Sequence, residues 1–120
     1  MPLNKSWFIL NYKIQKLTGF KDSHVKFPQK LAEKFISAFS KKGDKILDPF
    51  AGFGTTLFAA KKLNRIGFGI EYDDKKVEYI KSRLQKPHRI ISGDSLKINS
   101  FKLPSMDLSF TSPPYMRFFD

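Results

Sequence analysis

The nine residues Asp48-Pro-Phe-Ala-Gly-Phe-Gly-Thr-Thr56 constrain this chain most. They follow the short apolar run Lys45-Ile-Leu47 and lead into Leu57-Phe-Ala-Ala60. The block reads as the end of a strand, a tight glycine turn and the start of a helix, the place where an α/β sheet binds a nucleotide-like ligand. Gly52 and Gly54 can take positive φ and carry no Cβ, so backbone can approach a ligand closely while the next helix points its free N–H groups at it. Asp48, at the carboxyl end of the strand, supplies a fixed negative charge. That carboxylate would repel phosphate, and the Lys of a phosphate-binding P-loop is missing, since Thr55-Thr56 follow Gly54 directly. A cationic or amine-bearing ligand fits better.

The remaining elements alternate as an α/β sheet requires. Phe27, Leu31, Phe35 and Phe39 recur every four residues with Ile36 beside them, which predicts an amphipathic helix. Pro28 suits its first turn, and Lys41-Lys42-Gly43-Asp44 is expected to stop it with Gly43 at the C-cap. After the glycine turn a short helix is expected from Thr55 to Leu63, broken by Asn64-Arg65. Ile66-Gly-Phe-Gly-Ile70 then reads as a strand covered on both faces. It ends at Glu71, at about the spacing where a dinucleotide fold sets a carboxylate against ribose hydroxyls. Asp73 is an N-cap for a helix with the stripe Val77, Ile80 and Leu84, which Pro87 ends. His88-Arg-Ile-Ile91 is a third strand, running into Asp94-Ser95. The segment 97–105 is a polar, proline-broken loop. Met106-Asp-Leu-Ser-Phe110 is a fourth strand that delivers Thr111-Ser112-Pro113-Pro114-Tyr115.

Composition narrows the partners. Among 120 residues, 22 Lys+Arg against 11 Asp+Glu give a formal charge of +11, which favours a polyanion such as DNA or RNA. The basic residues are scattered, so charge alone does not separate that from a lysine-rich proteome. Residues 41% hydrophobic and 15% aromatic fit a soluble globular chain rather than a disordered one. Without cysteine, and with only His24 and His88, neither disulfides nor a metal centre is expected. No apolar run approaches membrane-spanning length, and the first residues lack the ordered regions of a secretory signal, so a cytoplasmic protein is the default. In the N-terminal arm, residues 1–26, Trp7 and Phe8 could stack on a base, although beside Ile9 and Leu10 they read first as core.

Taken together, the glycine block, Glu71, Asp94 and Ser112-Pro-Pro-Tyr115 resemble motifs I, II, III and IV of the S-adenosylmethionine-dependent amino-methyltransferases that act on DNA (N4-cytosine or N6-adenine). Phe27-Pro28-x-x-Leu31, about twenty residues before motif I, resembles their motif X. The resemblance runs from Phe27 to Tyr115. It implies a partial Rossmann-like class I methyltransferase sheet, with parallel strands in the order 3-2-1-4 and flanking helices, over residues 27–120. It implies that S-adenosyl-L-methionine is held by Phe27, Pro28, Asp48, Pro49, Phe50, Gly52, Gly54, Thr55, Thr56, Glu71, Tyr72, Asp94 and Ser95. Within that set Glu71 would take the ribose, Tyr72 would pack on the adenine and Asp94 would accept from the adenine amino group.

Ser112, Pro113, Pro114 and Tyr115 are the implied catalytic residues. An aromatic amine is a poor nucleophile because its lone pair is delocalised into the ring. Methylating it requires acceptors that bind both amine protons and stabilise charge as it builds. Pro-Pro gives a stiff turn with few donors. The Pro113 carbonyl and the Ser112 hydroxyl can serve as fixed acceptors, and Tyr115 offers a face for a flipped-out base. Ser at the first position resembles the 4-methylcytosine-forming group, which favours cytosine N4 over adenine N6 and a role in restriction–modification. The alternatives are an RNA amino-methyltransferase, such as one acting on guanine N2, and a non-catalytic remnant or accessory subunit. The family's fold continues past motif IV, so the chain is expected to be truncated after strand four and completed by a missing C-terminal half or a second subunit.

Overall fold

The computed structural model describes residues 27–112 of the chain. The N-terminal arm, including Trp7 and Phe8, and the residues Pro113, Pro114 and Tyr115 lie outside the described residues. Helices and strands alternate: α1 (Gln29–Phe39), β1 (Lys45–Asp48), α2 (Thr55–Lys62), β2 (Ile66–Glu71), α3 (Asp74–Lys81), β3 (Arg89–Ser92), a kinked 3-10 segment (Ser95–Ser100) and β4 (Leu108–Ser109). The strands form one parallel sheet in the order β3-β2-β1-β4. All of its strands therefore end on the same side. Among the described residues no helix is long and apolar enough to cross a membrane.

Two apolar clusters hold helices to the sheet. Ala32, Ile36, Ile46, Ala59 and Ala60 join α1 and α2 to β1, and Ala51, Leu57, Ile80 and Leu84 join the glycine turn and α2 to α3. Close contact with β2 depends on its glycines. A Cβ on Gly69 would meet Ala51 Cβ and Leu57 Cδ1 at 2.9 Å, so the sequence Gly67-Phe-Gly69 is what lets α2 lie directly on the strand. Val77, Ile80 and Leu84 are buried as their spacing predicts. Asp73 caps α3, accepting from the Lys75 and Lys76 amides.

Three expectations change. The four-residue Phe row of α1 is not its buried face: Ala32 and Ile36 are fully buried whereas Phe39 is 61% exposed. A spacing of four advances 40° beyond a full turn at each step, so such a row winds around the helix. Gly43 is not the helix cap, because α1 ends at an extended Ser40. Gly43 instead adopts φ +88° in a separate turn and donates to the Asn64 carbonyl at 2.8 Å. Helix α3 stops at Lys81, well before Pro87.

Arg65, expected only to break a helix, is buried with its guanidinium satisfied. It donates to Ser40 Oγ at 2.9 Å, to the Ser40 carbonyl at 2.7 Å and to the Leu63 carbonyl at 2.9 Å, fastening the end of α1 to the turn before β2.

His88 has a comparable structural task. Its Nδ1 accepts from the Gly67 amide at 3.0 Å, which requires that nitrogen unprotonated. Burial, with the nearby Lys61 charge, lowers its pKa below the usual 6.5. The folded state thus prefers neutral His88, so this contribution is intact above the unfolded pKa and is lost as pH falls from 6.5 toward the lowered folded value. Denaturant titrations should accordingly show stability declining on acidification through that window. In His88→Asn, whose Oδ1 keeps an acceptor without titrating, the decline should be shallower.

Candidate functional site

The candidate residues stand along the edge where the strands end. Asp94 and Ser95 follow β3, Glu71 closes β2, Asp48 closes β1, and Thr111 and Ser112 follow β4. With neighbouring strands about 4.8 Å apart, this edge spans some 15 Å between its outer members.

The glycine turn is built from backbone that residues with a side chain rarely adopt. Gly52 has φ +56° and Gly54 φ +83°. A Cβ on Gly54 would also approach Ile80 Cγ1 to 2.8 Å. The turn is laced to its neighbour: the Ala51 amide donates to the Ile70 carbonyl at 2.9 Å, and the Gly52 amide donates to Glu71 Oε1 at 2.8 Å. Glu71 Oε2 accepts from the Asp73 amide at 2.8 Å. Both Glu71 oxygens are thereby fixed in place, each with a lone pair left over for hydroxyl donors.

Asp48 is the electrostatic centre. It is fully buried. Its Oδ1 accepts from the Phe50 amide at 3.0 Å and from the Thr111 hydroxyl at 2.6 Å. Its Oδ2 is buried with no hydrogen-bond partner, and so is Thr56 Oγ1. Thr56 lies near enough to favour the carboxylate's charge, yet its hydroxyl does not form the bond. Burial raises the Asp48 pKa above its usual 3.8; the Thr111 hydrogen bond, the nearby Thr56 hydroxyl and the Phe50 amide oppose that rise, and the Glu71 charge adds to it.

The other predicted residues divide. Ser95 Oγ donates to the Pro49 carbonyl, which ties the loop after β3 to the end of β1. Asp94 is spent partly on structure, since its Oδ1 accepts from the Leu96 amide at 2.9 Å and caps the 3-10 segment. Thr55 and Thr56 are buried at the start of α2, whereas Phe50 and Tyr72 are exposed. Phe27 stands edge-on to the Phe110 ring with centroids 6.1 Å apart, so it is brought beside β4. Ser112 is exposed. Thr111 is the functional candidate that the sequence reading passed over. Its signal was a hydroxyl residue at the end of a strand, immediately before the Ser-Pro-Pro-Tyr segment.

A parallel Rossmann-like sheet with a glycine turn after β1 and carboxylates ending β1 and β2 is the architecture of class I methyltransferases. Solved structures agree on the fold: the TehB-like SAM-dependent methyltransferase of Corynebacterium glutamicum has a TM-score of 0.59 and 24% identity, covering 68% of this chain and 44% of that one. SMU.1697c of Streptococcus mutans, solved in complex with SAH, has a TM-score of 0.61 and 16% identity, covering 78% of this chain and 56% of that one. In sequence, the DNA methylase family profile matches residues 2–82. The chain belongs to that family of S-adenosylmethionine-dependent amino-methyltransferases of N6/N4 type.

Among curated relatives, the type II methyltransferase M.HinfI of Haemophilus influenzae is 37% identical over 99 residues, covering 80% of this chain and 28% of the relative. M.HpaI of Haemophilus parainfluenzae is 47% identical over 57 residues, 48% of this chain and 18% of the relative. The chain thus spans less than a third of the length of either.

The buried carboxylate gives a stability prediction. Since the folded-state pKa of Asp48 is raised, its charge opposes folding above that pKa, and the cost is relieved as pH falls toward 3.8. Asp48→Asn keeps an acceptor for Thr111 and Phe50 and places an amide donor toward Thr56. The thermal midpoint of the ligand-free protein should therefore rise at neutral pH, and the gain should shrink on acidification.

Proposed function

We propose that this chain forms the cofactor-binding half of a DNA amino-methyltransferase whose target is cytosine N4, acting in a cytoplasmic restriction–modification system. The observation that carries the reading is the buried Asp48 carboxylate, with one oxygen uncompensated, under a glycine turn and between the Glu71 and Ser112 ends of the same sheet edge. An unpaired buried charge is costly, and a cation seated above the turn offsets that cost. A ligand with a cationic amino acid part and a ribose matches both carboxylates. When bound, S-adenosylmethionine supplies an electrophilic methyl group carried on a sulfonium.

In this reading each residue has a separate task. Asp48 supplies the fixed negative charge toward the methionine part. The turn Pro49, Phe50, Gly52, Gly54, Thr55 and Thr56 lets the ligand approach backbone, with Phe27 and Pro28 completing that end of the pocket. Glu71 accepts from the ribose hydroxyls with the lone pairs that the Gly52 and Asp73 amides leave free, and its fixed orientation lowers the entropy lost on binding. Asp94 and Ser95 meet the adenine amino group, and Tyr72 covers its ring.

Ser112 and the Pro113 carbonyl would accept hydrogen bonds from both N–H groups of the target amine, one of whose protons passes to solvent after methyl transfer. They steer its lone pair out of ring conjugation and stabilise positive charge on the nitrogen as the methyl arrives. Tyr115 stacks on the flipped base, and Pro114 keeps the turn stiff. The greater length of the curated relatives supports a further segment or subunit that completes the sheet and reads the DNA sequence.

Mass spectrometry of nucleosides from DNA treated with labelled S-adenosylmethionine and this chain, alone and together with the segment or subunit that completes it, tests the assignment. Labelled 4-methylcytosine is the expected product. Labelled 6-methyladenine would keep the class and overturn the choice of base. Label in RNA alone would overturn the DNA assignment.

A further inference from the structure

Strand β4 is only two residues long, and the described chain runs three residues past it, to Ser112. Its main-chain pairing to β1 runs from the Asp107 amide on the Lys45 carbonyl, at 2.9 Å, to the Phe110 amide on the Leu47 carbonyl, at 3.0 Å. In a parallel ladder the next rung would run from the N–H of residue 49 to the Phe110 carbonyl. Residue 49 is proline and has no N–H, so the ladder stops there. Beyond Ser112, Pro113 and Pro114 have no N–H either. The bond from the Thr111 hydroxyl to Asp48 Oδ1, at 2.6 Å across 63 residues of sequence, takes the place of the missing rung.

Resting on the amino-methyltransferase reading above, we propose that Thr111 is a positioning residue that couples the cofactor site to the end of β4. Its hydroxyl sets where the chain leaves the sheet at Ser112, and it holds the Asp48 carboxylate in the orientation that the cofactor meets.

The geometry supports both directions of the coupling. Oδ1 has two donors, Thr111 and Phe50, so the carboxylate plane is fixed and Oδ2 is left as the oxygen without a partner. A cation above the turn favours the ionised form of the Asp48 carboxylate, to which the Thr111 hydroxyl donates more strongly than to the protonated form, and this tightens the hold on the strand end. By linkage, ordering that strand end favours the cation to the same extent. The cofactor site and the strand end at Ser112 are thus linked through one side-chain bond. Valine would keep the shape of Thr111 and remove the donor. Serine would keep the donor.

Calorimetric titration of S-adenosylhomocysteine into the wild type, Thr111→Val and Thr111→Ser across the acidic range tests the coupling. Thr111→Val should bind roughly tenfold more weakly, the order expected for one hydrogen bond to a charged group, while Thr111→Ser should bind nearly as the wild type does. Thr111 opposes the burial that raises the Asp48 pKa, and Glu71 is the charged group that acts on it. Loss of the hydroxyl should therefore move the pH at which binding fails upward, a shift that a purely structural defect would not produce.

Should Thr111→Val fail to fold, the wild type still decides. Saturation with the ligand should displace the Ser112 amide resonance in solution spectra. An unmoved Ser112 resonance, or equal affinity and pH dependence in all three proteins, would overturn the coupling while leaving the cofactor site intact. A wild type that does not bind S-adenosylhomocysteine would instead overturn the functional reading, and this inference with it.

Discussion

A carboxylate buried at the junction of three elements organises this molecule. Asp48 closes β1, opens the glycine turn through its bond to the Phe50 amide, and holds the end of β4 through Thr111. Burial without a cationic partner among the described residues makes it expensive to the fold, as its raised pKa records. Such a cost persists where the surrounding structure over-determines the residue and where a ligand offsets it. The same atom arrangement therefore explains a structural weakness and a binding capacity.

The parallel topology turns that one charge into a site. Because every strand runs the same way, Asp48, Glu71, Asp94 and Ser112 arrive at one edge although they are widely spaced in the sequence. Small residues make the edge approachable. Gly67 and Gly69 bring α2 onto β2, and Gly52 and Gly54 let the turn fold back until its amide reaches Glu71. Glu71 is consequently oriented before any ligand arrives, by the turn it faces.

Much of this was legible in the sequence, for an identifiable reason. The glycine turn, the strand-ending acids and the Ser-Pro-Pro-Tyr segment are local signals, and each marks a strand end; the strand order 3-2-1-4 was implied by the family resemblance they carry, and the sheet has that order. What was not legible depends on contacts between distant residues or on exact helical phase. The Phe27, Leu31, Phe35 and Phe39 row looked like a buried face, but its drift leaves Phe39 outside and Ala32 and Ile36 within. Gly43 had the chemistry of a helix cap and was taken up by a turn that bonds to Asn64. His88 was read as the first residue of the third strand and as one of too few histidines for a metal centre, yet it precedes β3 and serves Gly67 across 21 residues. Thr111 belonged to a motif whose later residues attract attention, and its partner is 63 residues away.

The claim that Asp48 is the charge on which the ligand site depends is tested most directly by calorimetry of S-adenosylmethionine with the wild type and Asp48→Asn at neutral pH. The substitution keeps the size of the side chain and removes its charge. Affinity should fall at least tenfold, about 1.4 kcal/mol, in a protein that remains folded. Equal affinity in the two proteins would contradict the account.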